Sequence, residues 1–176
     1  MLHEYLIYIG TCFRDVPTGL LVGLAVAFCV GGVLLVGRYG WRKGAQRSVG
    51  VLLVEYLFLL FYVSVLTRSS LAERSFNFTP FWSYSAIRKG TAGMLTQVVM
   101  NLVAFIPVGF LLGCAFPRLK WWQVLLIGGG FSLLIEVSQL VFKLGLAEFD
   151  DVFHNVLGCL VGYGVSLLIS RNYRSV

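Results

Sequence analysis

The chain has 176 residues, 58% of them apolar and 12% charged, with a mean hydropathy of +0.84. An average soluble domain is about one quarter charged, so this balance belongs to a chain embedded in lipid and excludes a disordered chain, a collagen-like chain or a disulfide scaffold. A net charge of +6 and a pI of 9.4 do not make it a nucleic-acid binder. So few charges leave no basic face wide enough to track phosphates.

The 14 Lys+Arg and 8 Asp+Glu mark out the elements. Residues 16–37 carry no charge, 48–67 only Glu55, 90–117 none, 121–142 only Glu136, and 152–170 none with His154 neutral. Each run reaches the ~20 residues that cross a ~30 Å hydrocarbon core. The pattern predicts an all-α integral membrane protein, one domain over 1–176. Its bundle has five transmembrane helices near 18–37, 49–67, 94–116, 121–142 and 152–170. Lipid offers the backbone no water to bond, so such runs span as helices. A soluble helical bundle would need polar faces at helical period, and these runs have none.

Residues 1–15 are too short for a sixth span. Leu2, Tyr5, Leu6, Tyr8 and Ile9 suit the interface. No basic segment precedes an A-x-A site, so the first span reads as a retained anchor. Arg38, Arg42, Lys43, Arg47, Arg118, Lys120, Arg171 and Arg174 all fall on one side of these spans. Positive-inside logic therefore predicts the N-terminus outside and the C-terminus in the cytoplasm. Arg68, Arg74, Arg88 and Lys89 then lie outside in the 2–3 loop. Cys12, Cys29, Cys114 and Cys159 show no paired spacing, and His3 and His154 are the only histidines. No metal site or cofactor is predicted.

The polar residues placed in lipid point to a site. Glu136 lies seven residues before Lys143, about 10 Å below the outer end of its helix at 1.5 Å per residue. A carboxylate at that depth is paired, protonated or faces a polar cavity. Ser132 and Gln139 share its helix face. On the fifth span Asp151, Asn155, Gly158 and Gly162 form another face, with Asp151 at the helix start. The third span adds Gln97 and Asn101, a kink at Pro107, and a close-packing surface at Gly109 and Gly113. Arg68 ends the second span on the same side as counter-ion for Glu136 or Asp151. Together these predict an outward-facing polar pocket between spans two and five. Interhelical hydrogen bonding alone suffices for Gln97, and His154 reads as a core hydrogen-bonder. Glu55 sits apart in the inner half. Phe76, Phe78, Phe81, Trp82 and Tyr84 around Pro80 read as an interfacial or re-entrant segment over the pocket.

Four segments resemble a known family. Phe76-Asn77-Phe78-Thr79-Pro80-Phe81 is similar to the N-L-I-P-F segment of VanZ-like membrane proteins. NLVAFIPVGFLLG from Asn101 to Gly113 resembles their N-x-x-x-F-x-P-x-G-F-L segment. Ile135-Glu136-Val137-Ser138-Gln139 resembles I-E-x-x-Q. Glu148-Phe149-Asp150-Asp151 with Asn155, Gly158 and Gly162 resembles E-F-D-D-x-x-x-N-x-x-G-x-x-x-G. The four follow the family's order over 68–164. The resemblance adds Asn77 and Asp150 to the candidate residues. It implies a bacterial cell-membrane protein of the group linked to resistance to teicoplanin-type lipoglycopeptides.

Three functions follow as expectations. The favoured one is a non-enzymatic envelope protein. Its partners are the bilayer and an envelope lipid or lipid-linked cell-wall precursor, with homo-oligomerisation left open by the glycine surfaces. Arg68 would meet an anionic headgroup, while Asn101, Glu136 and Asn155 would shape the pocket. The second is an intramembrane lipid-acting enzyme with Glu136 or Asp151 as general base. The third is a transporter in which Glu136 titrates.

Overall fold

The computed structural model describes residues 16–172. Its elements are α1 (Thr18–Tyr39), α2 (Trp41–Phe61), β1 (Ser75–Asn77), α3 (Trp82–Arg88), α4 (Met94–Ala115), α5 (Trp121–Phe142), β2 (Leu146–Glu148) and α6 (Phe149–Asn172). A π-helical turn, Tyr62–Leu66, prolongs α2. Five of these helices are long and apolar enough to cross a membrane, and the chain is an all-α membrane bundle. The interfacial placement of residues 1–15, Cys12 included, lies outside the described residues.

Two helix starts precede the predicted ones. α2 begins at Trp41 and α6 at Phe149. A charge map reports where lipid begins, whereas a helix ends where its backbone bonding ends. Lys43 and Arg47 are exposed yet helical, and the charged Asp150 and Asp151 belong to the first turn of α6 although Asp150 is buried. The break between α1 and α2 is one residue wide. Gly40 takes φ 76° and its amide bonds to Val36 O, closing α1. That left-handed conformation suits glycine, which has no Cβ to clash.

α4 and α6 form the centre of the bundle, and their glycines set how closely they pack. A Cβ on Gly158 would strike the Leu102 carbonyl oxygen, and one on Gly162 that of Ile106. In return, a Cβ on Gly109 would strike the Cys159 carbonyl, and one on Gly113 the Ser166 side chain. The two glycine pairs thus face each other and are used within the chain. Backbones this close gain dispersion and Cα–H···O contacts, which hold helices together in lipid. Pro107 stands inside α4 and removes one helical donor. Beside it, Tyr56 of α2 donates to Ala104 O at 2.9 Å. The apolar core runs through Leu53, Phe105, Val108, Leu112, Val124 and Ile135. α1 packs against α2 and has no buried residue, as expected of a lipid-facing helix.

The segment after α2 holds more structure than an interfacial loop. β1 pairs with β2 in parallel, with Ser75 opposite Leu146, Phe76 opposite Ala147 and Asn77 opposite Glu148. Two strands of three residues do not hold together unaided. Here Leu71 N donates to Lys143 O at 2.7 Å and Lys143 Nζ to Ala72 O at 3.1 Å, tying the segment to the end of α5.

Candidate functional site

The site lies where β2 enters α6. Asn77 Oδ1 accepts the Thr79 amide at 3.0 Å, turning the chain into Pro80. Phe81 follows with φ 60°, in the left-handed region. This turn aims backbone donors at Asp150. Phe81 N reaches Asp150 Oδ1 at 2.6 Å, while Ser83 N and Ser83 Oγ reach Oδ2 at 2.9 and 2.5 Å. Asp150 is fully buried, and it caps α3 from 67 residues away in sequence. Tyr84 on α3 pairs its hydroxyl with His154 Nε2 at 3.0 Å.

Beneath this cap sit three more carboxylates. Glu136 Oε2 accepts the Glu148 amide at 2.9 Å, which fixes α5 to β2. Gln97 of α4 donates to Glu148 Oε2 at 2.9 Å and more distantly to Asp151 at 3.4 and 3.5 Å. Burial lifts the Glu148 carboxyl to about 8, helped by the negative charges of Asp151, Glu136 and Asp150. A group so placed keeps its proton near neutrality, and that proton relieves the repulsion among its neighbours.

The remaining candidates spread over the same end of the bundle. Gln139 Nε2 donates at 3.1 Å to Ser64 O, a carbonyl within the π turn. Asn155 Nδ2 donates to Ser132 Oγ at 2.8 Å, and its Oδ1 is buried without a partner. Asn101 lies near Asp151, but its Nδ2 forms no hydrogen bond of its own. Arg68 is exposed. Its guanidinium donates to Leu144 O at 3.5 Å rather than to a carboxylate, and packs over Gly145 where a Cβ would crowd it. It remains within electrostatic reach of Glu136. Asn77 serves the turn and does not reach the carboxylates through a hydrogen bond of its own. Glu55 lies nine residues before Ser64, about 13 Å along α2.

The candidate residues gather as a buried polar cluster at this end of the bundle. Glu136, Gln139, Glu148 and Asn155 are all buried. Their side chains bond to β2, the π turn and neighbouring helices. Cavities open beside Lys43 and Arg47 and between α1 and α2. The exposed edge of the site consists of Arg68 and the β1–α3 aromatics. Phe76, Phe78 and Phe81 are 61%, 58% and 51% exposed, and the rings of Phe76 and Phe78 stack at 5.3 Å. From sequence, Glu148 and Ser83 have no role in the site, Gln97 is explained by interhelical bonding alone and Tyr84 is only one of the loop aromatics. Glu148 stood in a quoted motif, and Gln97 had the helical phase of Asn101. Ser83 and Tyr84 carried no signal beyond their aromatic surroundings. Chemically, the cluster can hold and share a proton. Ser138, the hydroxyl nearest Glu136 in sequence, donates back to Leu134 O at 2.7 Å.

The model of a family described as VanZ/LLP1 matches residues 50–170. That leaves α1 and the first turns of α2 outside the match. "Protein VanZ" of Enterococcus faecium is 30% identical over 113 residues, covering 62% of this chain. The match spans 65% of that relative's length, just under two thirds. No solved structure matches.

Proposed function

The chain belongs to the VanZ/LLP1 family, and on that premise we propose that it is a bacterial envelope protein that lowers susceptibility to teicoplanin-type lipoglycopeptides. In this reading, the end of the bundle carrying Arg68 faces outward, with the C-terminus in the cytoplasm. The rim made by Arg68 and the β1–α3 aromatics receives an envelope lipid or lipid-linked precursor. Arg68 meets its anionic headgroup, and Phe76 and Phe78 lie among acyl chains. The buried carboxylates, with Asn101, Gln139 and Asn155, fix the rim in place.

One observation carries the reading. The exposed aromatic segment that follows Arg68 is tied, through Asp150 and β2, to a buried polar cluster. A loop that only anchored the protein to the interface would need no such attachment. Expression in a sensitive host is the test. Tolerance to teicoplanin should rise more than tolerance to vancomycin. Equal change in both, or none in either, contradicts the proposal.

A second reading has the raised Glu148 carboxyl in its favour. A proton held near neutrality beside Glu136 and Asp151 suits acid–base work on a lipid, or proton-coupled movement of a solute. Glu136→Gln separates the two readings. It keeps an oxygen for the Glu148 amide, so binding survives, whereas lipid turnover or proton flux in proteoliposomes would be abolished.

A further inference from the structure

The opposite end of the bundle has its own chemistry. A cavity of about 460 Å³ opens there between the first turns of α2 and the end of α4. Lys43, Gln46, Arg47 and Gly50 line it on one side, Ala115 and Phe116 on the other. From geometry and charge together, we infer that this cavity is a binding site for the phosphate group of an anionic phospholipid.

Charge segregation is the first reason. Arg38, Lys43, Arg47, Arg118 and Lys120 gather at this end, and the chain places no Asp or Glu among them. The nearest carboxylate along α2 is Glu55, eight residues past Arg47 and about 12 Å deeper. Among the described residues these cations therefore have no Asp or Glu beside them. A basic recess between transmembrane helices recruits anionic headgroups.

Depth is the second reason. Trp41, Trp121 and Trp122 stand at the same end and are 79%, 63% and 45% exposed. Amphipathic rings at such a level mark the headgroup region. Lys43 and Arg47 lie within two turns of Trp41, so the cavity opens where a lipid phosphate sits.

Preparation of the recess is the third. The Arg47 guanidinium lies 3.4 Å from the centre of the Tyr39 ring, which holds the cation in place. Gln46 Nε2 donates to Ala115 O at 2.9 Å, covering the carbonyl end of α4 that would otherwise repel an anion. A phosphodiester fits the two cations, and its acyl chains continue along the exposed apolar faces of α1 and α2. Free phosphate shares the charge but gains nothing from those faces.

Native mass spectrometry on the full chain in detergent tests the site, with phosphatidylglycerol, phosphatidylcholine and inorganic phosphate as probes. Wild type should retain phosphatidylglycerol selectively, and K43Q/R47Q should bind it roughly thirtyfold more weakly. The second variant is Gly50→Leu, which fills the cavity and keeps both charges. A Cβ at Gly50 meets nothing within 4 Å, so the helix tolerates it. It too should lose the lipid. Retention by Gly50→Leu alongside loss by K43Q/R47Q would reveal unspecific attraction and overturn the site. So would equal binding of the two phospholipids, or displacement by inorganic phosphate at concentrations equal to the lipid's.

Discussion

Asp150 accepts two hydrogen bonds from Ser83, from the amide at 2.9 Å and from the hydroxyl at 2.5 Å, and so joins the start of α6 to the start of α3. With the Phe81 amide on its other oxygen, Asp150 holds the β1–α3 segment through both carboxylate oxygens. Asp150→Ala leaves two backbone donors facing an empty, buried space. It should cost about 3 kcal/mol, as expected for losing bonds to a charged acceptor. Ser83→Ala removes only one of the three and should cost about 1 kcal/mol. Thermal melts in detergent check the order of the two variants. A cysteine at Phe78 should label faster in the Asp150→Ala background as the β1–α3 segment detaches.

The glycine pairs predict a sharp positional contrast. Gly158→Ala adds one methyl group against the Leu102 carbonyl, which is backbone and cannot turn aside. α4 and α6 must separate, at a cost of about 1–3 kcal/mol or more. Gly164→Ala, two residues past Gly162, meets nothing within 4 Å and should be neutral. Equal melting temperatures for the two variants would contradict the close packing of these helices.

Much of this architecture was readable from charge alone. Lipid excludes charged side chains, so the gaps between them locate the spans to within a few residues. The exceptions, at Trp41 and Phe149, arise where a helix continues past the lipid boundary. The β1–β2 pair was not readable. Three residues carry too little alternation to signal a strand, and Ser75 and Leu146 are separated in sequence by α3, α4 and α5. The π turn left no local trace either, since its Ser64 carbonyl is used by Gln139 from another helix. Within the site, Glu136 stood out because it is a carboxylate in lipid. The roles of Glu148 and Gln97 depend on each other, across 51 residues. No helix-by-helix reading could pair them.

The Glu148 carboxyl makes stability depend on pH. Its folded value, about 8, lies above the ordinary 4.5. A raised acid favours the folded state while it is protonated. Its contribution is therefore complete below about pH 4.5 and lost as pH rises toward and through about 8. Thermal melts across that window should fall with rising pH, and Glu148→Gln, neutral throughout, should flatten the profile. A wild-type melting temperature that rises over the same window would contradict the buried, crowded position of Glu148.

The Tyr56 hydroxyl, bonded to α4 near Pro107, is a smaller lever. Tyr56→Phe leaves the ring and removes the bond to Ala104 O. Hydrogen bonds between helices in lipid average about 0.6 kcal/mol, so a small loss of melting temperature is expected, well below that of Asp150→Ala.

The central claim is that the exposed rim around Arg68 acts on the envelope while the buried cluster holds it in shape. Arg68→Gln tests it most directly, because the guanidinium is exposed and its one hydrogen bond, to Leu144 O, is long at 3.5 Å. The measurement is teicoplanin tolerance of a sensitive host carrying wild type or Arg68→Gln at matched membrane levels and matched melting temperatures. The account predicts that the variant loses the protection while vancomycin tolerance stays where it was. Full protection by Arg68→Gln would contradict it.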